Sequence, residues 1–282
     1  MSMKRWLCFL LVCQPGWGQS PTRGIVPEEV LQARPAATAA ASPKPKYQPV
    51  ATVGPRPTGG RQVGVTIWRL RPAVAGDSAA ARILVQEESK TEEWIPERIS
   101  STGRLRPGDK VRLSIESPEP GYLYVVDREQ YANGERGVPY LIFPTTRTHE
   151  GNNAISPGRL IDIPGQDDQP NYFSLRRSRT DQTGEELTLL LTKAPLPDLE
   201  LGPKALRLSE AQVAAWEKKW ETTKPSVFEL TGGAGQTWTR AEQVAATGRT
   251  RALTQEDPAP QTVYRVAVKP EAPILVKLRL RL

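Results

Sequence analysis

The amino-acid sequence predicts a mainly β fold, an antiparallel sandwich or barrel, with two short helices toward its C-terminal end. Three observations carry that expectation. Short runs at 110–117, 121–127, 138–143, 158–163, 172–175 and 186–192 are rich in β-branched, aliphatic and aromatic side chains. Each is bounded by Gly, Pro, Asn or Asp, the residues that turn a chain. Near both ends of the expected folded part, apolar and polar residues alternate with period two, as in a sheet with one buried face.

Residues 1–18 read as a secretory signal. Lys4 and Arg5 form the positive region, residues 6–12 a short apolar stretch, and residues 16–19 offer small side chains for cleavage. The apolar stretch is far below the ~20 residues that span a bilayer, and no later segment comes close. Lipid anchoring through Cys13 is the weaker alternative, because Val12 is large where a lipobox wants a small residue. Cys8 and Cys13 are the chain's two cysteines. A mature protein without them has no disulfide and no thiolate chemistry. The expected destination is the periplasm, the cell envelope or the extracellular space.

Residues 19–61 are dominated by Pro, Ala, Gly and Thr and read as a disordered linker, with Glu28–Gln32 able to form one helical turn. Residues 62–282 read as one compact unit. Val63, Val65 and Ile67 alternate along a first strand, and residues 81–85 and 93–99 continue the β pattern. Pro107, Gly108 and Asp109 turn into a strand whose Val111, Leu113 and Ile115 face the core, leaving Arg112, Ser114 and Glu116 outward. Asn133 and Gly134 lie between residues 122–126 and 140–143, which predicts a hairpin with a polar tip.

A helical insertion is expected over about 199–250. Ser209 and Gln212 form a capping box for a helix over 210–221, with Val213, Trp216 and Trp220 on one face. Thr239 and Glu242 make a second capping box, for a short helix that Gly248 closes. A terminal hairpin is expected over 262–282. Tyr264, Val266 and Val268 run out, residues 270–273 turn, and Ile274, Val276, Leu278, Leu280 and Leu282 return. Lys277, Arg279 and Arg281 share the opposite face of that last strand.

A run of short motifs then takes on meaning by its order. Leu105–Val111 leads into Gly121–Val125. Leu141, Ile142, Phe143 and Pro144 follow, then Gly151, Asn152, Asn153, Gly158, Ile163 and Pro164, and last Glu185–Leu189. Over residues 104–196 this resembles a bacterial domain-of-unknown-function family, number 4384. The resemblance implies an immunoglobulin-like β-sandwich found in envelope proteins or beside peptidase and kinase domains, neither of which is present in this chain. It supplies no catalytic residue.

The chemistry-bearing residues point the same way. His149, the single histidine, lies in a polar loop with no partner held beside it by rigid elements. Glu116, Asp127, Glu129 and Asp162 include candidates for an acid/base pair, but read first as charges that keep a sheet soluble. Asp127 with Glu129, or Asp167 with Asp168, lacks the spacing of a calcium loop. Gly232, Gly233, Ala234 and Gly235 lack the Lys-Ser/Thr pair of a phosphate loop and read as a flexible connection. Trp216 and Trp220 read as packing residues, which leaves Trp94 and Trp238 as candidates for exposed aromatic contacts. Arg176, Arg177 and Arg179 are the candidate basic contacts.

With a net charge of +7, two charges of which lie in the signal, attraction to acidic surfaces is moderate. The expectation is an exported, non-catalytic module that holds an envelope protein or an anionic envelope polymer. No cofactor or metal is expected, and the export signal argues against nucleic acid. A secreted hydrolase with a carboxylate site assembled only in three dimensions is the alternative.

Overall fold

The computed structural model describes residues 28–36, 60–87, 90–221, 223–246 and 252–282. The expected signal at 1–18, most of the linker and the closing Gly248 lie outside the described residues. In chain order the elements are α1 (Glu28–Gln32), β1 (Arg61–Pro72), β2 (Ile83–Glu87), β3 (Lys90–Ile99) and β4 (Lys110–Glu116). Next come β5 (Gly121–Tyr131), β6 (Tyr140–Phe143), β7 (Ala154–Ile155), β8 (Ile161–Ile163), β9 (Phe173–Ser174) and β10 (Gln182–Thr192). The last are β11 (Leu206–Arg207), α2 (Glu210–Trp220), β12 (Ser226–Glu229), α3 (Arg240–Ala246), β13 (Thr262–Val266) and β14 (Ile274–Arg281).

Two antiparallel sheets result, so the mainly β expectation holds. Sheet A is organised on β1, which pairs with β13 and β3 along one edge and with β4 along the other. Beyond β4 lie β8 and β9, and β12 and β2 flank the opposite side. Sheet B runs β11–β6–β5–β10–β14. Period-two alternation sends Val63, Val65, Ile67, Val111, Leu113 and Ile115 from sheet A into one core. There they meet Leu123, Val125, Leu187, Leu189, Val276 and Leu278 from sheet B.

Hairpin β5–β6 forms around Asn133 and Gly134, where φ of +84° suits glycine. Helices α2 and α3 start at the expected caps. The Ser209 hydroxyl accepts from Gln212 N at 3.1 Å. Thr239 Oγ1 accepts from Glu242 N at 3.3 Å, while Glu242 Oε2 accepts from Thr239 N at 3.0 Å.

The expected terminal hairpin does not form. β13 lies in sheet A against β1 and β12, whereas β14 joins sheet B against β10. The turn after Val268 therefore carries the chain from one sheet to the other. Alternation alone is blind to this, because both strands bury one face in the same core whichever sheet they enter.

The outward-facing residues of β4 also depart from expectation. Arg112, Ser114 and Glu116 are 1%, 3% and 1% exposed, because α3, the 252–260 segment and residues 28–36 roof that face of sheet A. Residues 28–36, expected to belong to the linker, are part of this roof. Val30 is fully buried against Val263, and Arg34 is 3% exposed.

Candidate functional site

Several loops converge at one end of the sandwich. Leu105 N donates to Arg281 O at 2.8 Å, Gly108 N to Leu175 O at 2.8 Å and Ala132 N to Asp181 O at 2.8 Å. Leu282 N donates to Thr183 O at 3.0 Å. A depression of about 700 Å³ opens there, lined by Arg104, Tyr131, Arg136, Glu185, Arg279 and Arg281 among others. Gly184 lets β10 and β14 close its floor, because a Cβ at that position would run into the Leu280 carbonyl.

The cations around it fall into two groups. Arg136 is held by Glu186 at 2.7 Å and Glu217 at 2.8 Å, and Lys277 by Glu217 and Glu221. Arg279 reaches Glu186 only at 3.7 Å and is largely exposed. Arg104, before β4, forms an isolated parallel bridge with Arg281 of β14; both are exposed and have no carboxylate within ion-pair distance among the described residues. Two exposed like charges on bridged residues add to a positive field that attracts an anion.

Beneath the rim lies a carboxyl pair that β-strand parity explains. Asp127 and Glu129 on β5, and Glu185 on β10, have the same parity as the core residues Leu123, Val125 and Leu187. Glu185 sits opposite Glu129 in the register. Burial, and then the Glu129 charge, pushes the Asp127 carboxyl above its usual range. Burial, and then the Asp127 charge, raises Glu185 further. Asp127 stands opposite Leu187, so Asp127 and Glu185 are diagonal neighbours on one face of the sheet. Asp127 Oδ1 and Glu185 Oε2 are buried with no hydrogen-bond partner among the described residues. Gln182 Nε2 donates to Glu185 Oε1 at 2.8 Å, and the Tyr131 hydroxyl donates to Glu129.

The residues singled out in the sequence are placed as follows. Arg176, Arg177 and Arg179 are exposed on the loop bordering this end. Arg179 is engaged by Glu135 at 3.1 Å and Asp181 at 2.9 Å, with its guanidinium 3.9 Å from the Tyr131 ring centroid. Trp238 is no exposed contact. It is 3% accessible and stacks on Trp68, with 5.7 Å between ring centroids. Trp94 is half-buried, and the Lys110 ammonium sits 4.2 Å above its ring. Both tryptophans extend the apolar cluster on the outer face of sheet A. Trp216 and Trp220 pack on sheet B.

His149 is likewise not a free loop side chain. Its Nε2 lies 2.8 Å from Asp162 O, and its ring meets Phe143 edge-on. Glu116 and Asp162, read as soluble surface charges, are buried ion-pair members with side chains 2% exposed. The glycine loop at 232–235 uses its N–H groups internally, Gly233 to Leu230 O and Gly235 to Arg98 O. Asp168 caps its own turn, accepting from Gly165 N at 2.6 Å. No group of three His, Cys, Asp or Glu side chains suited to a metal comes together among the described residues.

Sequence reading missed Arg104, Glu185 and Arg34. For Glu185 a signal existed, since an acid in step with Leu187, Leu189 and Leu191 must enter the core or its end. Nothing local marks Arg104 or Arg34. No family model, curated protein or solved structure matches this chain.

Proposed function

We propose that this protein is an exported, non-catalytic interaction module of the bacterial cell envelope that holds an anionic protein or polymer at the arginine-rimmed end of its sandwich. The observation that carries the reading is Arg104 beside Arg281, exposed and without a carboxylate partner, over a depression large enough for several residues of a polymer. The positive, apolar and small-residue order of residues 4–19, and the resemblance over 104–196, support the envelope setting. Among the described residues no helix is long and apolar enough to cross a membrane.

The hydrolase alternative draws on Asp127 and Glu185, a carboxyl pair with raised proton affinity next to a depression. Its geometry favours the binding reading. Glycosidase carboxyls stand ~5 Å or more apart around a scissile bond. Here one oxygen of each carboxyl, Asp127 Oδ1 and Glu185 Oε2, is buried rather than turned to a substrate.

The test is titration of the mature protein with fluorescent alginate or polyglutamate. Exposed charge contacts weaken as the Debye length falls from ~10 Å at 0.1 M salt to ~3 Å at 1 M. Binding should therefore drop steeply with salt. The Arg104→Glu/Arg281→Glu double variant should weaken it about tenfold or more, and more than Arg176→Glu/Arg177→Glu does. Affinity indifferent to salt and to Arg104 and Arg281 refutes the reading. Turnover of a glycan, lost in Asp127→Asn, replaces it with the hydrolase.

A further inference from the structure

Away from that end, on the outer face of sheet A, residues 28–36 occupy a second site built around one arginine. Arg34 Nε donates to Glu116 Oε1 at 2.6 Å and Nη2 to Glu116 Oε2 at 2.7 Å, a bidentate pair. The remaining donors go to backbone. Nη1 reaches Thr254 O at 3.2 Å and Asp257 O at 2.9 Å, and Nη2 reaches Pro258 O at 3.0 Å. All five guanidinium donors are thus used, inside a cup where both side chains are 2% exposed or less.

The cup is built by the domain. Asp257 Oδ2 accepts from Thr254 N at 2.7 Å and from its hydroxyl at 3.0 Å, which fixes the turn that supplies the carbonyls. Gly64, opposite Glu116, lets Pro260 press onto β1, because a Cβ there would sit 2.6 Å from the proline ring. Around the arginine the segment docks as a peptide ligand does. Val30 fills an apolar site with Val263, Phe228 and Leu230, Glu29 pairs with Arg265, and Gln255 N donates to Pro35 O at 3.2 Å.

A planar, five-donor cup of this kind discriminates arginine from lysine, whose ammonium matches neither the bidentate carboxylate nor the spread of carbonyls. Left empty, it strands the Glu116 carboxylate away from water. The cup therefore demands an occupant, and residues 28–36 of a second copy fit it as well as its own do. A chain of 23 residues, the length of 37–59, reaches at most ~80 Å at ~3.5 Å per residue, beyond the ~45 Å breadth of a domain this size.

We propose that the Glu116 cup is a peptide-recognition site specific for arginine, filled within one chain by its own residues 28–36 and open to the same segment of a second copy. In the envelope this would let copies link through their tethers, independently of the arginine-rimmed end.

Two full-length variants test it by complementation. Arg34→Ala keeps the cup but spoils the segment, and Glu116→Gln keeps the segment but spoils the cup. Mixed, they should form a 1:1 heterodimer by analytical ultracentrifugation, at least about 100-fold tighter than either variant's self-association. Adding Arg34→Lys to the Glu116→Gln chain should abolish the complex. Folded variants that stay monomeric when mixed, or a heterodimer that accepts lysine equally well, overturn the proposal. Should either variant fail to fold, a wild-type chain cut at a protease site placed within 37–59 serves instead. The released segment should stay bound and exchange with synthetic 28–36 peptide. Its loss at micromolar concentration overturns the proposal.

Discussion

On the outer face of sheet B, α2 lays Val213, Trp216 and Trp220 over Tyr124, Val126, Leu190 and Leu275, an apolar roof with its ion pairs at the rim. The outer face of sheet A is roofed too, but over charges. Arg98, Trp68 and Arg112 stand in one row across β3, β1 and β4. Trp238 covers the row, with Arg98 5.2 Å from the Trp68 ring and Arg112 5.1 Å from the Trp238 ring. Arg98 pairs with Glu242 of α3. Trp68 Nε1 donates to Ser114 Oγ at 2.7 Å, and Ser114 in turn donates to Asp162 at 2.5 Å.

The difference lies in what each roof tolerates. Trimming an apolar side chain leaves a smaller buried surface and a cavity, whereas removing one ion of a buried pair leaves its partner charged in a poor solvent. The A face thus fixes where α3, the 252–260 turn and residues 28–36 must sit, while the B face mainly adds burial. Burial itself opposes both charges in the Arg112–Asp162 pair. It pushes the guanidinium down and the carboxyl up, and each is partly restored by the other.

The largest effect should come from splitting that pair. Asp162→Ala leaves Arg112 buried and should cost about 3–5 kcal/mol in chemical denaturation, while Arg112→Met/Asp162→Leu should recover most of the loss. A single variant as mild as the double would mean the A face behaves like the B face. Next is Trp216→Ala on the B face, expected to cost about 2–3 kcal/mol because the ring is half-buried and stacked on Trp220 at 6.1 Å. A loss near zero would free the α2 tryptophans as ligand contacts and undo the apolar half of the comparison.

The smallest effect concerns the sandwich end. Glu185 has its proton affinity raised in the folded state by burial and by Asp127. Its stabilising share is therefore complete below the ordinary carboxylate range. It is lost as pH rises through the elevated folded value, where the fold must hold a second negative charge. Glu185→Gln should stabilise the protein by about 1–2 kcal/mol at pH 8, after discount for water at this partly exposed group, and by little at pH 4. Thermal unfolding across pH reads the difference. A gain independent of pH would show that the fold does not raise the proton affinity of Glu185.

Much of the architecture was legible because period-two patterns and turn residues act locally. The alternation of Val111, Leu113 and Ile115 named the core face of β4, and Ser209 and Thr239 named the starts of α2 and α3. These choices depend on a few neighbouring residues and survive any rearrangement of distant elements. What the sequence could not decide was which distant segments meet. The same Tyr264–Val266 and Ile274–Leu280 alternation suits a hairpin or two separate sheets. Arg112, Ser114 and Glu116 read as solvent-facing until a roof from both ends of the chain covers them. Arg104 meets Arg281, Asp127 meets Glu185, and Arg34 meets Glu116 only through strand register and docking. Register and docking are settled by the sum of burial over the whole core, so tertiary structure alone turned scattered charges into sites.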